Sequence, residues 1–147
     1  MSKNAVSTHL NGLLADTIVL NQKLHHFHWR VQGRGFFQLH AKFEELYGHF
    51  GELGDALAER ILMIGGEPLA TLNQARELSN VEESAAVPEA PAMVRLVRDD
   101  LRRFRDAVLA GITAAEAESD RGTANLLDPV LDSLDKEIWM LGAFLAE

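Results

Sequence analysis

The chain contains no cysteine, so disulfides, thiolate zinc sites, iron–sulfur clusters and cysteine nucleophiles are all excluded. Any metal has to be held by His, Asp, Glu or backbone oxygen. Proline is scarce: Pro68, Pro88 and Pro91 fall close together, and Pro129 stands alone. The segments on either side of that group suit long helices, because an interior proline removes a backbone donor and clashes with the preceding turn. Stretches of β-branched alternation are few, so strands are poorly supported. Positive charge is in short supply, with 14 Lys and Arg against 22 Asp and Glu and a net charge of −8, the wrong sign for a simple nucleic-acid binder. No apolar run approaches the roughly 20 residues that cross a bilayer. The opening from Met1 to Thr8 is polar with one Lys, unlike a secretory signal. These absences predict a soluble cytoplasmic protein. A length of 147 residues, 47% of them hydrophobic, suits one domain over 1–147.

What is present reads as helix. Leu10, Leu14, Thr17, Asn21, Leu24 and His28 recur at helical spacing, predicting a first helix over Ser7 to Gln32 that breaks at Gly33-Arg34-Gly35. A second runs from Phe36 to Ile64, with Leu39, Phe43, Leu46, Tyr47, Phe50, Leu53, Leu57 and Ile61 apolar, and stops at Gly65-Gly66 before Pro68. Residues 67–91 form a long connection in which Leu72 to Leu78 is a short helix. A third helix covers Ala92 to Glu118, broken by Arg121-Gly122, and a fourth covers Thr123 to Leu145. Two helical hairpins joined by a long connection predict an all-α, ferritin-like four-helix bundle with one crossover.

The unusual polar content lies on the first two helices. The first ends in His25-His26-Phe27-His28-Trp29, and the second carries His40, Glu44, Asp55 and Glu59. Counting about 100° per residue from His40, Glu44 falls at about 40°, Asp55 at about 60° and Glu59 at about 100°, all on one face. That face overlaps Phe36, Phe43 and Tyr47, so the polar groups are expected to be partly buried, and a buried carboxylate needs a partner or a metal. Taken alone, Asp55 and Glu59 would pair with Arg60 or another cation. Along the helix, Glu44 and Asp55 stand about 16 Å apart and His40 and Glu59 about 28 Å apart, so one ion cannot reach both ends. His28 can meet His40, since both flank the Gly33–Gly35 turn. The chain therefore offers two half-sites, His28/His40/Glu44 and Asp55/Glu59, which an antiparallel two-fold pairing of the second helix with its mate would unite. Such nitrogen and oxygen ligands suit iron, zinc or manganese. A di-iron site inside one bundle uses Glu-x-x-His motifs, and none occurs in this sequence.

The run His28-Trp29, Gly33, Phe36-Phe37, Leu39-His40-x-x-x-Glu44-x-Leu46-Tyr47, Asp55-x-x-Ala58-Glu59-Arg60 and Gly65-Gly66-x-Pro68 resembles the Dps family, the DNA-binding proteins from starved cells, or miniferritins. Asp135-Lys136-x-Ile138-Trp139-Met140 resembles that family too. The resemblance implies a hollow shell of twelve four-helix subunits with a ferroxidase centre at each two-fold interface. It places the metal ligands on His28, His40 and Glu44, and on Asp55 and Glu59 of a partner chain; many members carry Asp in place of Glu44. The implied chemistry is oxidation of Fe²⁺ by hydrogen peroxide, with O₂ as the slower oxidant, and storage of ferric mineral, which protects against oxidative damage. Trp29 beside His28 is read as an interface residue that can also supply an electron. Trp139 is read as core or interface, and His9, His25, His26 and His49 as surface groups.

From Glu116 onward eight acidic residues face only Arg121 and Lys136, and Asp128, Asp132 and Asp135 form a stripe. The resemblance makes Glu116, Asp120 and Asp128 candidates for lining pores that concentrate Fe²⁺, with Asn125 at a position where an acid is expected. Arg95, Arg98, Arg102 and Arg105 make a basic stripe, with Asp99 and Asp106 four residues after Arg95 and Arg102 and so placed to neutralise it. With only Lys3 near the start and no basic extension at Glu147, DNA binding through a tail is not expected. The alternative is a DNA-compacting or structural helical shell with little ferroxidase activity.

Overall fold

The four apolar stripes become four long helices in the computed structural model, which describes residues 2–146, with side chains from residue 5 onward. Met1, Glu147 and the side chain of Lys3 lie outside the described residues. The helices are α1 (Ser2–Arg30), α2 (Phe36–Met63), the short α3 (Leu72–Leu78), α4 (Ala90–Ala117) and α5 (Arg121–Leu145). Helix α1 starts five residues earlier than its apolar stripe indicates and stops at Arg30. The break before α5 also differs from expectation. Arg121-Gly122 is the first turn of α5, and the chain reverses at residues 118–120, where Ser119 takes a left-handed φ of 56°. Asp120 decides this boundary, because its carboxylate accepts the Thr123 backbone N–H and caps the helix. Pro129 lies inside α5 on its exposed side, and the Asn125 carbonyl that loses a helical donor is on the exposed side too.

Helices α1 and α2 pack as one hairpin and α4 and α5 as another, with α1 against α4 joining them and α3 lying on α1. Gly33 and Gly35 make the first turn possible with φ of 86° and 79°, a region that costs other residues. A Cβ on Gly35 would also meet the Phe144 ring at 3.0 Å, so this turn docks on the end of α5. The core is the expected apolar set, including Leu10, Leu24, Phe27, Phe43, Leu57, Leu101, Phe104 and Leu127, each about 0–1% exposed. Burying each such side chain is worth about 1.5–3 kcal/mol relative to exposure. Among the described residues no helix is long and apolar enough to cross a membrane.

Polar side chains of α1 strap the crossover down. Asn11 donates to the Glu67 carbonyl at 3.0 Å and accepts from the Leu69 N–H at 2.9 Å. The buried Asp16 accepts from Ser79 Oγ and the Asn80 N–H, both at 2.8 Å. Lys23 is the deepest of these ties: its ammonium donates to Asp100 Oδ2 of α4 at 2.7 Å and to the Glu82 carbonyl at 2.8 Å, with both charged side chains under 5% exposed. Burial pushes the Asp100 carboxyl above its ordinary range despite Lys23 and Arg103, and pushes Asp16 up as well. Nothing in the helical pattern announced this network.

Candidate metal centre

The end of α1 and the start of α2 run antiparallel on either side of the glycine turn, which brings His28 and His40 face to face. Their rings stack at 3.7 Å with 13° between planes. Each Nδ1 lies on the other residue's backbone carbonyl, His28 Nδ1 at 2.6 Å from the His40 oxygen and His40 Nδ1 at 2.8 Å from the His28 oxygen. A carbonyl only accepts, so both Nδ1 atoms carry the proton and both Nε2 atoms keep a free lone pair in the neutral imidazole. This is the outer hydrogen bond that fixes the tautomer and orientation of metal-binding histidines. Phe36 also stacks on His40, at 5.1 Å, and Tyr47 meets His28 edge-on at 5.4 Å. His28 is buried and His40 half-buried.

Glu44, one turn after His40, puts Oε1 3.8 Å from His28 Nε2. Of the first half-site, His28 therefore lies against both His40 and Glu44 within the chain, without the three side chains converging on one point. The carboxylates are not buried as their helix face suggested: Glu44, Asp55 and Glu59 are all exposed in the single chain, turned away from the side of α2 that buries Leu39, Phe43, Leu46, Leu57 and Ile61. Asp55 and Glu59 have no hydrogen bond or ion pair among the described residues. Arg60, the cation expected to neutralise them, turns instead to Asp120 at 2.7 Å and to Thr123 Oγ1 at 3.0 Å. Among the described residues no three metal-ligating side chains converge within one chain.

Trp29 is exposed, and Trp139, 67% exposed, is no core residue. His25 is not a plain surface group: it is half-buried, stacks on Tyr47 at 3.6 Å and holds its Nδ1 on the Asn21 carbonyl at 2.8 Å. His26 is half-buried too, while His9 and His49 are exposed. Glu116 and Asp128 are exposed. Asp120 is occupied by the helix cap and by Arg60; burial pushes its carboxyl up, but the hydrogen bonds from Thr123 and Arg60 outweigh this and hold it below the ordinary range. In the basic stripe of α4, Arg102 pairs back to Asp99 rather than forward to Asp106. Asp99 serves Arg98 and Arg102 at 3.5 and 3.4 Å, Asp106 lies 4.0 Å from Arg105, and Arg105 crosses to Asp135 of α5. The spacing of His28 and His40 about the turn indicated that they meet; what sequence reading missed is that each ring nitrogen holds the other residue's backbone carbonyl.

The chain matches the ferritin-like domain family over residues 7–147. It is 41% identical over 145 residues to DNA protection during starvation protein 2 of Bacillus anthracis, with 99% of each chain covered. Its fold superposes on the crystal structure of a Dps protein from Bacillus brevis with a TM-score of 0.95 at 40% identity, covering 98% and 97% of the two chains. Dps from Listeria innocua is similar to it with a TM-score of 0.93 at 37% identity, covering 97% of each chain. A ferritin-like bundle and relatives of this identity across nearly the whole chain settle the family: the protein belongs to the Dps miniferritins, ferroxidases that store iron and protect against oxidative damage.

Proposed function

We propose that this protein oxidises Fe²⁺ at centres shared between two chains of a twelve-chain shell, with His28, His40 and Glu44 from one chain and Asp55 and Glu59 from the next. The observation that carries this reading is the reciprocal hold of His28 and His40 through Nδ1, which leaves each Nε2 lone pair available, that of His28 3.8 Å from Glu44 Oε1. A metal binds imidazole in the ring plane, and two parallel rings stacked at 3.7 Å cannot both hold one ion in plane. Each ring therefore serves its own ion, which favours a two-iron centre. Two Fe²⁺ then give one electron each to one hydrogen peroxide. The O–O bond breaks to water-level oxygen in a single two-electron event, and no hydroxyl radical is released. Iron is substrate and cargo, and the neutral tautomer held at each histidine is the form that binds it. Glu116 and Asp128 attract Fe²⁺ toward the shell, with Asp120 contributing less because Arg60 neutralises it.

Anaerobic loading with Fe²⁺ followed by hydrogen peroxide tests this. Two Fe²⁺ per chain should bind tightly, and one peroxide should be consumed for each two Fe²⁺, with no spin-trapped hydroxyl radical. Peroxide consumption of one per Fe²⁺ with radical release would refute the paired centre.

DNA is not a partner under this reading. Twelve chains of net charge −8 make a shell of −96, and Arg102, Arg103 and Arg105 are engaged by Asp99, Asp100 and Asp135. Counterion release needs several available cations. Duplex DNA should not shift in a gel at near-physiological salt and neutral pH; tight, salt-sensitive binding would refute this and implicate the arginines of α4.

A further inference from the structure

Helix α2 carries three glycines in its middle, Gly48, Gly51 and Gly54, although glycine is the poorest helix former after proline. Gly54 has a reason within the chain, since a Cβ there would lie 2.9 Å from Thr17 Oγ1 of α1. Gly48 would meet nothing within 4 Å, and Gly51 only the Asn21 amide at 3.7 Å, an ordinary contact. Both are exposed in the single chain. Packing inside the bundle therefore does not call for either of them.

Their place in the helix does. At about 100° per residue, Gly51 and Gly48 lie about 20° and 80° from His40, inside the arc that runs from His40 to Glu59. His40 and Glu59 are centred on the point midway between His49 and Phe50. So are Glu44 and Asp55, and so are Gly48 and Gly51. A two-fold axis that sets Glu44 of one chain beside Asp55 of the next must cross α2 at that midpoint, and it sets Gly48 of each chain against Gly51 of the other. Beside Gly51 a groove of about 350 Å³ between α1 and α2, lined by Leu14, Ile18, Asn21 and Asp55, opens on the same side.

We propose that Gly48 and Gly51 are positioning residues: they form the contact at which α2 meets α2 of a second copy, and their missing side chains set the spacing of the shared iron centre. The inference rests on the shared-centre reading above. Packed helices ordinarily stand roughly 8–10 Å apart, depending on the side chains at the contact. Carboxylate oxygens must come within about 2.0–2.2 Å of an ion such as zinc to ligate it, so a methyl group's thickness at the crossing decides whether both halves hold it.

Anaerobic Co²⁺ titration of the assembled protein, followed by the visible bands of the bound ion, reads this spacing without turnover. The Gly48→Ala/Gly51→Ala double variant should bind Co²⁺ at least tenfold more weakly with altered bands, and Gly48→Leu at least a hundredfold more weakly. Helix content should be unchanged, and the alanine variant should resist unfolding of the subunit at least as well, because alanine favours helix. Adding Asp55→Glu to the alanine variant lengthens the carboxylate arm by one methylene and should recover part of the affinity. If Gly48→Leu does not assemble, the alanine variant decides. Wild-type Co²⁺ binding in the glycine variants alongside loss in Asp55→Ala would overturn this inference alone. Unchanged binding in Asp55→Ala would overturn the shared centre and this inference with it.

Discussion

Shells co-refolded from His40→Ala and Asp55→Ala chains should oxidise Fe²⁺, whereas shells of either variant alone should not. Each substitution removes a ligand from a different half-site, and loss of even an outer-shell partner costs about 10–100-fold in affinity or activity, so each homogeneous variant should fall at least ~100-fold. In a mixed two-fold pair one centre receives both damaged halves and the other receives two intact halves. Equal random mixing makes about half of all pairs mixed, so about a quarter of centres should work. Neither substitution touches the core: His40 is half-buried at the turn and Asp55 is exposed, so both chains should fold and assemble. The measurement is the initial rate of Fe²⁺ oxidation by peroxide, with mixed shells verified by mass spectrometry. No gain on mixing would mean that both halves of a centre come from one chain.

Replacing Lys23 by Met should be among the most destabilising single changes available in this chain. The Lys23 ammonium is the counter-ion of Asp100 at 2.7 Å, and it also holds the Glu82 carbonyl of the crossover. Breaking a buried pair by removing one partner costs about 3–5 kcal/mol, because the remaining charge stays desolvated. Exposed Arg103, 3.1 Å from the other Asp100 oxygen, compensates only in part. Burial raises the Asp100 carboxyl in the folded chain, and removing Lys23 takes away an opposing attraction. A raised folded value means the native state takes up its proton first on acidification. The associated stability is present below the unfolded value near 3.8 and is lost as pH rises through the folded one. The unfolding midpoint of Lys23→Met at fixed protein concentration should therefore lie far below wild type at neutral pH, and the gap should narrow as pH falls. The Lys23→Met/Asp100→Leu double variant should regain much of the loss. A small deficit at neutral pH in Lys23→Met would show that the crossover is held by its other contacts.

Much of this protein is written locally. Apolar residues at helical spacing, two glycine turns and an almost proline-free pattern set the helices, since a helix depends on neighbours three and four residues away. The fixed rotation and rise per residue likewise placed His40, Glu44, Asp55 and Glu59 on one face and showed that they are too far apart for a single ion. Tertiary structure decided what those residues touch. The tautomers of His28 and His40 depend on backbone carbonyls across the hairpin, the diversion of Arg60 from Asp55 and Glu59 on Asp120, 60 residues away, and the crossover strap on a Lys23–Asp100 contact 77 residues long. Periodicity carries no record of such partners. A helix repeats its own geometry wherever it lies, but a hydrogen bond between helices exists only once the packing of the whole bundle has fixed their register.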